Sequence, residues 1–248
     1  MKISVITATY NSAATVRDTL MSICQQDHAD IEHIIVDGRS TDGTLGIVAN
    51  FPHVAKIVSE KDKGIYDAMN KGIRLATGDV IGILNSDDIY IDCSILSVVA
   101  KAFADPAVMT VYADLQYVDA DNMDLIKRTW ITGPFRKSSF YYGWMPPHPT
   151  FFVRKEVYER TGLFNTDLRS AADYELMLRI LLRYDVPAYY IPRVIVKMRA
   201  GGVSNASLRN RLRANREDRL AWKLNGLRPY FFTLYLKPLR KITQFIIT

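Results

Sequence analysis

The sequence predicts an α/β fold: a mainly parallel sheet flanked by helices. Three observations carry this. Short apolar runs recur at residues 3–7, 34–36, 56–59 and 80–84, the length of buried strands. Between them, apolar residues recur every three or four positions, which is the helix period. Two of the runs end directly in acidic clusters, at 37–42 and 85–88, and open α/β sheets bind ligands beyond the carboxyl ends of their strands.

Taken in order, residues 3–7 form the first strand. Asn11 and Ser12 stand where an N-cap belongs, ahead of Val16, Leu20 and Ile23 on one helical face. Residues 32–36 form the second strand, and the loop after Asp37 opens a helix near Thr41 and Asp42 with Leu45 and Val48 inward. A third strand covers 56–59. Gly64 begins a helix with Met69, Ile73 and Ala76 inward, closed by Gly78. Residues 79–84 are the fourth strand. Strands alternating with helices at this spacing imply right-handed crossovers and parallel neighbours. The second half is less regular. Residues 109–112, 150–153 and 188–198 read as strands and 119–122 as a hairpin turn. Residues 134–149, rich in aromatics, glycine and proline, read as a loop lining a site. Residues 170–184 form a strong helix with Tyr174, Met177, Leu178, Leu181 and Leu182 on one face.

Composition narrows the class. The 248 residues are 48% hydrophobic and 23% charged, as in an ordinary globular chain. Cys24 and Cys93 are isolated, which argues against a disulfide framework or structural zinc and suits a reducing compartment. The apolar stretch after Lys2 is too short for a signal peptide, and no run approaches the roughly 20 apolar residues of a membrane span. The net charge of +6 is concentrated at the end. Residues 207–248 carry ten basic side chains opposed only by Glu217 and Asp218, so the rest of the chain is slightly acidic.

Adjacent carboxylates at the end of a buried strand repel each other unless a cation lies between them. A hard divalent metal carrying a phosphate-bearing ligand is the natural reading. The motifs extend this. Thr7-Ala8-Thr9-Tyr10-Asn11, Val36-Asp37-Gly38-Arg39-Ser40-Thr41-Asp42-Gly43-Thr44, Gly64-Ile65-Tyr66-Asp67-Ala68-Met69-Asn70-Lys71-Gly72, Ala76-Thr77-Gly78-Asp79 and Leu84-Asn85-Ser86-Asp87-Asp88 follow one another on the expected strand ends. In this order, over about residues 1 to 200, the chain resembles family 2 glycosyltransferases of the GT-A fold, especially bacterial enzymes of capsule, exopolysaccharide or O-antigen synthesis. The resemblance implies inverting transfer of a sugar from a nucleotide-diphosphate donor, with Mn²⁺ or Mg²⁺ as cofactor.

Each residue role has a plainer rival. Asp37 either closes a turn or, as the resemblance implies, accepts a hydrogen bond from the donor base, flanked by Thr7, Ala8 and Tyr10. Asp62 is an exposed loop charge or a nucleoside contact. Lys71 either pairs with Asp67 four residues earlier or serves the diphosphate. Asn85 and Ser86 belong to the donor site. Asp87 occupies the family's metal-binding position and Asp88 supports it or caps a helix; Asn85 replaces the first acid of the usual D-x-D. Asp173 matches the general base, with Ala172 where relatives have Glu; the rival reading is a first-turn acid favoured by the helix dipole. His148 binds acceptor or diphosphate, or serves only as a structural hydrogen-bonding group.

The expected organisation is a catalytic domain over 1–205 and a helical, basic, amphipathic extension over 206–248. The Q-x-x-R-W signature of processive synthases is absent, which favours addition of one sugar at a time. The partners expected are a nucleotide sugar, UDP-linked first of all, and a saccharide or polyprenyl-diphosphate-linked acceptor. Arginines in the extension lack aromatic-stacking or helix-turn-helix motifs, so nucleic acid is not expected. Its aromatic and basic clusters suit an anionic membrane surface; packing on the catalytic domain or a homodimer contact is the rival. The expected location is cytoplasmic, peripheral at the inner membrane face. Rival functions are a sugar nucleotidyltransferase, which lacks its glycine-rich basic loop here, and a non-catalytic sugar- or nucleotide-sugar-binding relative.

Overall fold

The computed structural model describes residues 1–201 and 208–243. Its strands are β1 (Ile3–Thr9), β2 (Ile31–Asp37), β3 (Val54–Ser59), β4 (Val80–Ile83), β5 (Asp88–Tyr90), β6 (Thr110–Val118), β7 (Ile126–Trp130), β8 (Phe152–Arg154) and β9 (Ala188–Arg199). The helices are α1 (Val16–Cys24), α2 (Thr44–Val48), α3 (Ile65–Leu75), α4 (Ile95–Ala102), α5 (Lys137–Tyr141), α6 (Lys155–Thr161), α7 (Ala172–Leu178), α8 (Leu208–Leu224) and α9 (Thr233–Thr243). The strands form one mixed sheet in the order β3-β2-β1-β4-β8-β6-β9-β5, with β7 paired to β6. β1 to β4 are parallel and β8 runs antiparallel between β4 and β6. The α/β class and the early strand–helix alternation read from the sequence are therefore present.

The packing explains the patterns. β1 is buried along its whole length, as a central parallel strand covered on both faces must be. β3, at the edge, alternates between half-buried and exposed. One core layer joins Ile6, Ile34, Met69, Ile73, Trp144 and Leu176; the layer across the sheet joins Ile3, Val5, Leu96, Val99 and Phe103. α3 lies so close to β1 that a Cβ at Gly72 would fall 2.3 Å from Ile6 Cγ2. Only glycine permits that approach.

Several expectations need correction. Neither Asn11 nor Ser12 caps α1 with its side chain, and Thr15 holds the cap position. Asn11 instead adopts φ 48° and accepts a hydrogen bond from the Thr41 amide at 2.9 Å, tying the loops after β1 and β2 together. The 134–149 segment contains α5, and its Phe140 and Trp144 are core residues. Trp144 Nε1 donates to the Thr132 carbonyl at 2.8 Å. The strand expected at 150–153 is β8, preceded by a 3₁₀ turn at His148–Thr150. The helix expected over 170–184 is α7, continued by a π turn at Arg179–Arg183.

The basic extension packs on the domain before it. Trp222 is fully buried in the main core and its Nε1 donates to the Tyr174 hydroxyl at 2.9 Å. Thr233 on α9 donates to the Tyr141 carbonyl at 2.6 Å. Among the described residues no helix is long and apolar enough to cross a membrane. The 205/206 boundary, and Phe245, Ile246 and Ile247, lie outside the described residues.

Candidate active site

Parallel pairing brings the ends of β1 to β4 to one edge. Thr9 stands beside Asp37 and Asp37 beside Ser59 in register. The buried Asp37 carboxylate accepts from Thr9 Oγ1 at 3.1 Å, Ser40 N at 3.0 Å, Ser40 Oγ at 2.5 Å and Ser59 Oγ at 2.6 Å. Burial pushes its pKa up, but the hydrogen bonds from Ser40, Ser59 and Thr9 outweigh this and hold it below the usual carboxylate range. Four donors occupy the lone-pair directions that a carboxylate offers. Asp37 thus shapes the loop, and a nucleobase N–H would have to displace one of the serine hydroxyls.

The open surface of this edge lies beside Gly38. A Cβ there would be 2.5 Å from Asp62 Oδ2 and 3.3 Å from Tyr10 Cδ2. Tyr10, Gly38 and Asp62, from the loops after β1, β2 and β3, therefore form one concave surface. Tyr10 is 64% exposed, too open for a packed core aromatic. Asp62 is fixed by the Gly64 amide at 2.8 Å. Three of the expected donor residues are buried or engaged elsewhere. Thr7 is fully buried, with its hydroxyl 3.1 Å from His33 Nε2, and Ala8 is buried beside it. Lys71 bonds to the Lys61 carbonyl at 3.0 Å and pairs with Glu60 at 2.9 Å and Asp67 at 3.6 Å. It closes the β3–α3 loop.

The acidic cluster follows β4. Ser86 Oγ meets Ser12 Oγ at 2.8 Å, and Asn85 Nδ2 donates to Asp88 Oδ2 at 2.9 Å. Asp88 is completely buried. Burial and the negative charge of Asp87 raise its pKa well above the ordinary value. Burial also raises that of Asp87. Asp88 Oδ1 and Asn85 Oδ1 are buried oxygens without a hydrogen-bond partner. Orphaned oxygen acceptors beside a second carboxylate are the donor set that a hard divalent cation takes. Among the described residues no group of three or more His, Cys, Asp or Glu side chains could hold a metal. An ion held by these oxygens would complete its coordination with a ligand's phosphates, which is how Mg²⁺ is commonly held.

β9 adds a residue that the sequence reading missed. Pairing of Asp88 with Met198 brings Arg199 to the acids. Its guanidinium pairs with Asp18 at 2.5 Å and donates to the Asp87 carbonyl at 3.4 Å and the Ala120 carbonyl at 3.1 Å.

Asp173 lies in the first turn of α7, partly exposed. Tyr66, from the first turn of α3, donates its hydroxyl to Asp173 Oδ1 at 3.2 Å. Burial and the Asp173 charge push the Tyr66 phenol far above its normal range, so it stays protonated and donates. The Tyr66 ring stacks on Phe164 with centroids 5.5 Å apart, and His148 meets the same ring edge-on at 5.5 Å. Burial lowers the His148 pKa while the nearby Asp173 partly opposes this, so the imidazole is neutral at pH 7. Tyr117 carries a partly buried phenol on β6. Burial raises its phenol, and Asp88 and Asp173 both add to that; Arg128, 3.6 Å above its ring, opposes it. A cleft of about 340 Å³ opens beside Tyr66, lined by Lys63, Gly64, Leu168 and Arg169. The structure thus brings Tyr10 and Asp62 together around Gly38, Asn85 onto Asp88 after β4, and His148 and Asp173 to the stacked Tyr66 and Phe164 rings. Tyr66 is legible in hindsight from its place in the Gly64–Gly72 motif. Arg199 and Tyr117 carried no signal.

Known proteins share the family and the fold of this chain. The profile described as Glycosyl transferase family 2 matches residues 4–162. A PGL/p-HBAD biosynthesis glycosyltransferase of Mycobacterium tuberculosis is 31% identical over 207 residues, covering 82% of this chain and 78% of that protein. An uncharacterized glycosyltransferase of M. tuberculosis, Rv1514c, is 30% identical over 183 residues, covering 73% of this chain and 69% of that protein. Among solved structures, S. aureus TarS 1-349 aligns with TM-score 0.71 at 19% identity, covering 98% of this chain and 72% of that one. Against a longer TarS chain the coverage is 39%. The mannosyltransferase PcManGT of Pyrobaculum calidifontis aligns with TM-score 0.68 at 24% identity, covering 95% of this chain and 68% of that one. The fold is the GT-A fold, and the chain belongs to glycosyltransferase family 2.

Proposed function

We propose that this enzyme transfers one hexose or N-acetylhexosamine residue per reaction, with inversion, from a nucleoside-diphosphate sugar to a saccharide or polyprenyl-diphosphate-linked acceptor. One observation carries the reading. The Asp173 carboxylate accepts from the Tyr66 hydroxyl at 3.2 Å, while beside Asp87 the buried Asp88 Oδ1 and Asn85 Oδ1 have no hydrogen-bond partner. A held carboxylate suited to accept a proton and an acid pair suited to a cation-bound diphosphate support the reading. Relatives of the same fold support the donor class: TarS 1-349 forms a complex with UDP-GlcNAc, and PcManGT one with GDP-Man and Mn²⁺. UDP is the first donor to try. The lipid-linked acceptor and surface-glycan role take support from the mycobacterial PGL/p-HBAD relatives.

In this mechanism Tyr10, Gly38 and Asp62 hold the nucleoside, and Asp37 keeps Ser40 and Ser59 in place beneath it. Asp87, with Asn85 and Asp88 behind it, would hold a divalent cation, whose charge would neutralise the departing diphosphate. The acceptor hydroxyl oxygen forms a bond to the anomeric carbon while the bond to the diphosphate oxygen breaks on the opposite face. The hydroxyl proton passes to Asp173, whose carboxylate Tyr66 orients. Neutral His148 adds a hydrogen bond on the acceptor side.

The test is nucleoside diphosphate release from UDP-GlcNAc, UDP-glucose and GDP-mannose with Mn²⁺, using water or added saccharides as acceptor. Asp173→Asn should lower kcat on the order of a hundredfold or more while leaving UDP affinity within about twofold, because a general base acts in the transition state. Wild-type kcat in Asp173→Asn would move the base elsewhere, with Glu175 the next residue to test.

A further inference from the structure

α7 begins without a capping side chain of its own: Ala171 holds the cap position, and Ser170 makes no cap hydrogen bond there. The amides of the cap residue and of the residue before it are taken by α8. Glu217 Oε2 accepts from the Ser170 amide at 2.6 Å and the Ala171 amide at 3.1 Å. An acidic side chain that accepts from the amide at the cap position is the reciprocal half of a capping box, and its negative charge suits a helix start. Here it comes from 46 and 47 positions away in the chain.

The contact is one of several from α8 to the same turn. Trp222 Nε1 donates to the Tyr174 hydroxyl at 2.9 Å, and Asn225 Nδ2 donates to Glu175 Oε1 at 3.1 Å. Residues on both sides of Asp173 are therefore held by α8: Ser170 and Ala171 before it, Tyr174 and Glu175 after it.

From this geometry we infer that Glu217, on the C-terminal extension, is a positioning residue that fixes the first turn of α7 and thereby the Asp173 carboxylate. This rests on Asp173 being the base. The extension is then a working part of the active site, because its amphipathic helix completes the helix that carries the base. A near-attack geometry is sensitive at this level, since a 1 Å displacement can cost on the order of a hundredfold in rate.

The experiment compares Glu217→Ala, Glu217→Gln and Glu217→Asp with Asp173→Asn in the same release assay, using the full chain, UDP-GlcNAc and Mn²⁺. Glu217→Ala should lower kcat on the order of tenfold or more while UDP affinity and donor KM stay within about twofold. Glu217→Gln keeps an amide-oxygen acceptor and should recover most of kcat. Glu217→Asp is one methylene shorter, cannot reach both amides and should behave like Glu217→Ala; it is the variant to read if the alanine protein does not fold. Wild-type kcat in folded Glu217→Ala or Glu217→Asp overturns the inference. So does a loss of UDP binding that parallels the loss of kcat, since that marks general destabilisation. Full turnover in Asp173→Asn overturns the base assignment instead, whatever the Glu217 variants do.

Discussion

At the scale of single residues, the site separates groups that shape loops from groups left open to a ligand. Asp37, Thr7 and Lys71 are bonded to their own protein. Tyr10, Gly38 and Asp62 are the surface that remains. Gly38 gives the sharpest test of that surface. An alanine there brings its Cβ to 2.5 Å from Asp62 Oδ2, and the Gly64 amide holds that carboxylate in place. The neighbours are loop side chains, so the crowding falls on the ligand surface and spares the core. Gly38→Ala should weaken UDP binding by about tenfold, measured by calorimetry, with the melting temperature within about 2 °C of wild type. An unchanged affinity would remove Gly38 from the nucleoside surface. The acid pair is tested in the same calorimeter. Asp87→Ala should abolish the effect of EDTA on UDP affinity, because the shared cation loses its principal ligand. Equal UDP affinity with and without EDTA in the wild-type protein would sink the metal role.

At the scale of elements, β2 is the most heavily loaded strand. Glu32, 3% exposed, accepts from Ser4 Oγ at 2.6 Å, the Thr77 amide at 2.7 Å, Thr77 Oγ1 at 2.9 Å and Lys56 Nζ at 3.0 Å. It ties β1, β3 and the turn before β4 to one carboxylate. Burial opposes its ionisation, but the hydrogen bonds from Ser4, Thr77 and Lys56 prevail and hold its pKa down to about 2. Glu32→Ala should destabilise the fold by about 3 kcal/mol in urea unfolding, since buried donors lose a charged acceptor. Its neighbour His33 is buried against His53, and burial followed by the His53 charge lowers its pKa to about 3. Unfolded His33 protonates near 6.5 while the folded form does not. Its contribution is therefore complete above pH 6.5 and declines as pH falls towards 3. That of Glu32 is complete above about 4.5 and declines towards 2. His33 alone should thus contribute a fall below pH 6.5 with a slope approaching about 1.4 kcal/mol per pH unit, opposed by the raised pKa of Asp88, so His33→Gln should lower the slope of stability against pH between 6.5 and 4.5 by about that amount. An unchanged slope would mean that His33 titrates normally. Such elements show how far the sequence was legible. β1 to β4 and α3 could be read because hydrophobic period and turn chemistry are local. The roles of Glu32, Arg199 and Glu217 could not, because each partner lies tens to hundreds of positions away and only sheet order brings them together. The aromatics of 134–149 misled for a related reason: composition alone cannot tell a core aromatic from a site lining.

At the scale of the whole molecule, the extension has two faces. One is committed to the catalytic domain through Glu217, Trp222 and Asn225. The other leaves Phe231 89% exposed, Tyr235 63% and Leu239 53%, with Leu220 and Leu224 also exposed. Arg219, Lys223 and Arg228 line an open hollow beside these residues. Rings and aliphatic chains bordered by cations match an anionic lipid surface, where each basic residue contributes about 1 kcal/mol. Membrane attachment by this face remains a proposal, and the packing of the inner face changes how it must be tested. Removing the extension after residue 206 would also strip Trp222 from the core and Glu217 from α7, so loss of binding would be uninterpretable. The better variants are Phe231→Ser with Tyr235→Ser, and Arg219→Gln with Lys223→Gln and Arg228→Gln. Their side chains lie outside the core, so the melting temperature should hold within a few degrees. Co-sedimentation with vesicles of phosphatidylglycerol and phosphatidylcholine should be strong for wild type at low salt, weaker at 0.5 M NaCl, and reduced in both variants. The charge variant should lose its salt dependence and the aromatic variant should keep it, because the two sets act through separable forces. Wild-type protein that stays in the supernatant with anionic vesicles at low salt would leave the exposed face to a protein contact, for which a concentration-dependent dimer in sedimentation velocity, lost in Phe231→Ser with Tyr235→Ser, is the expected sign.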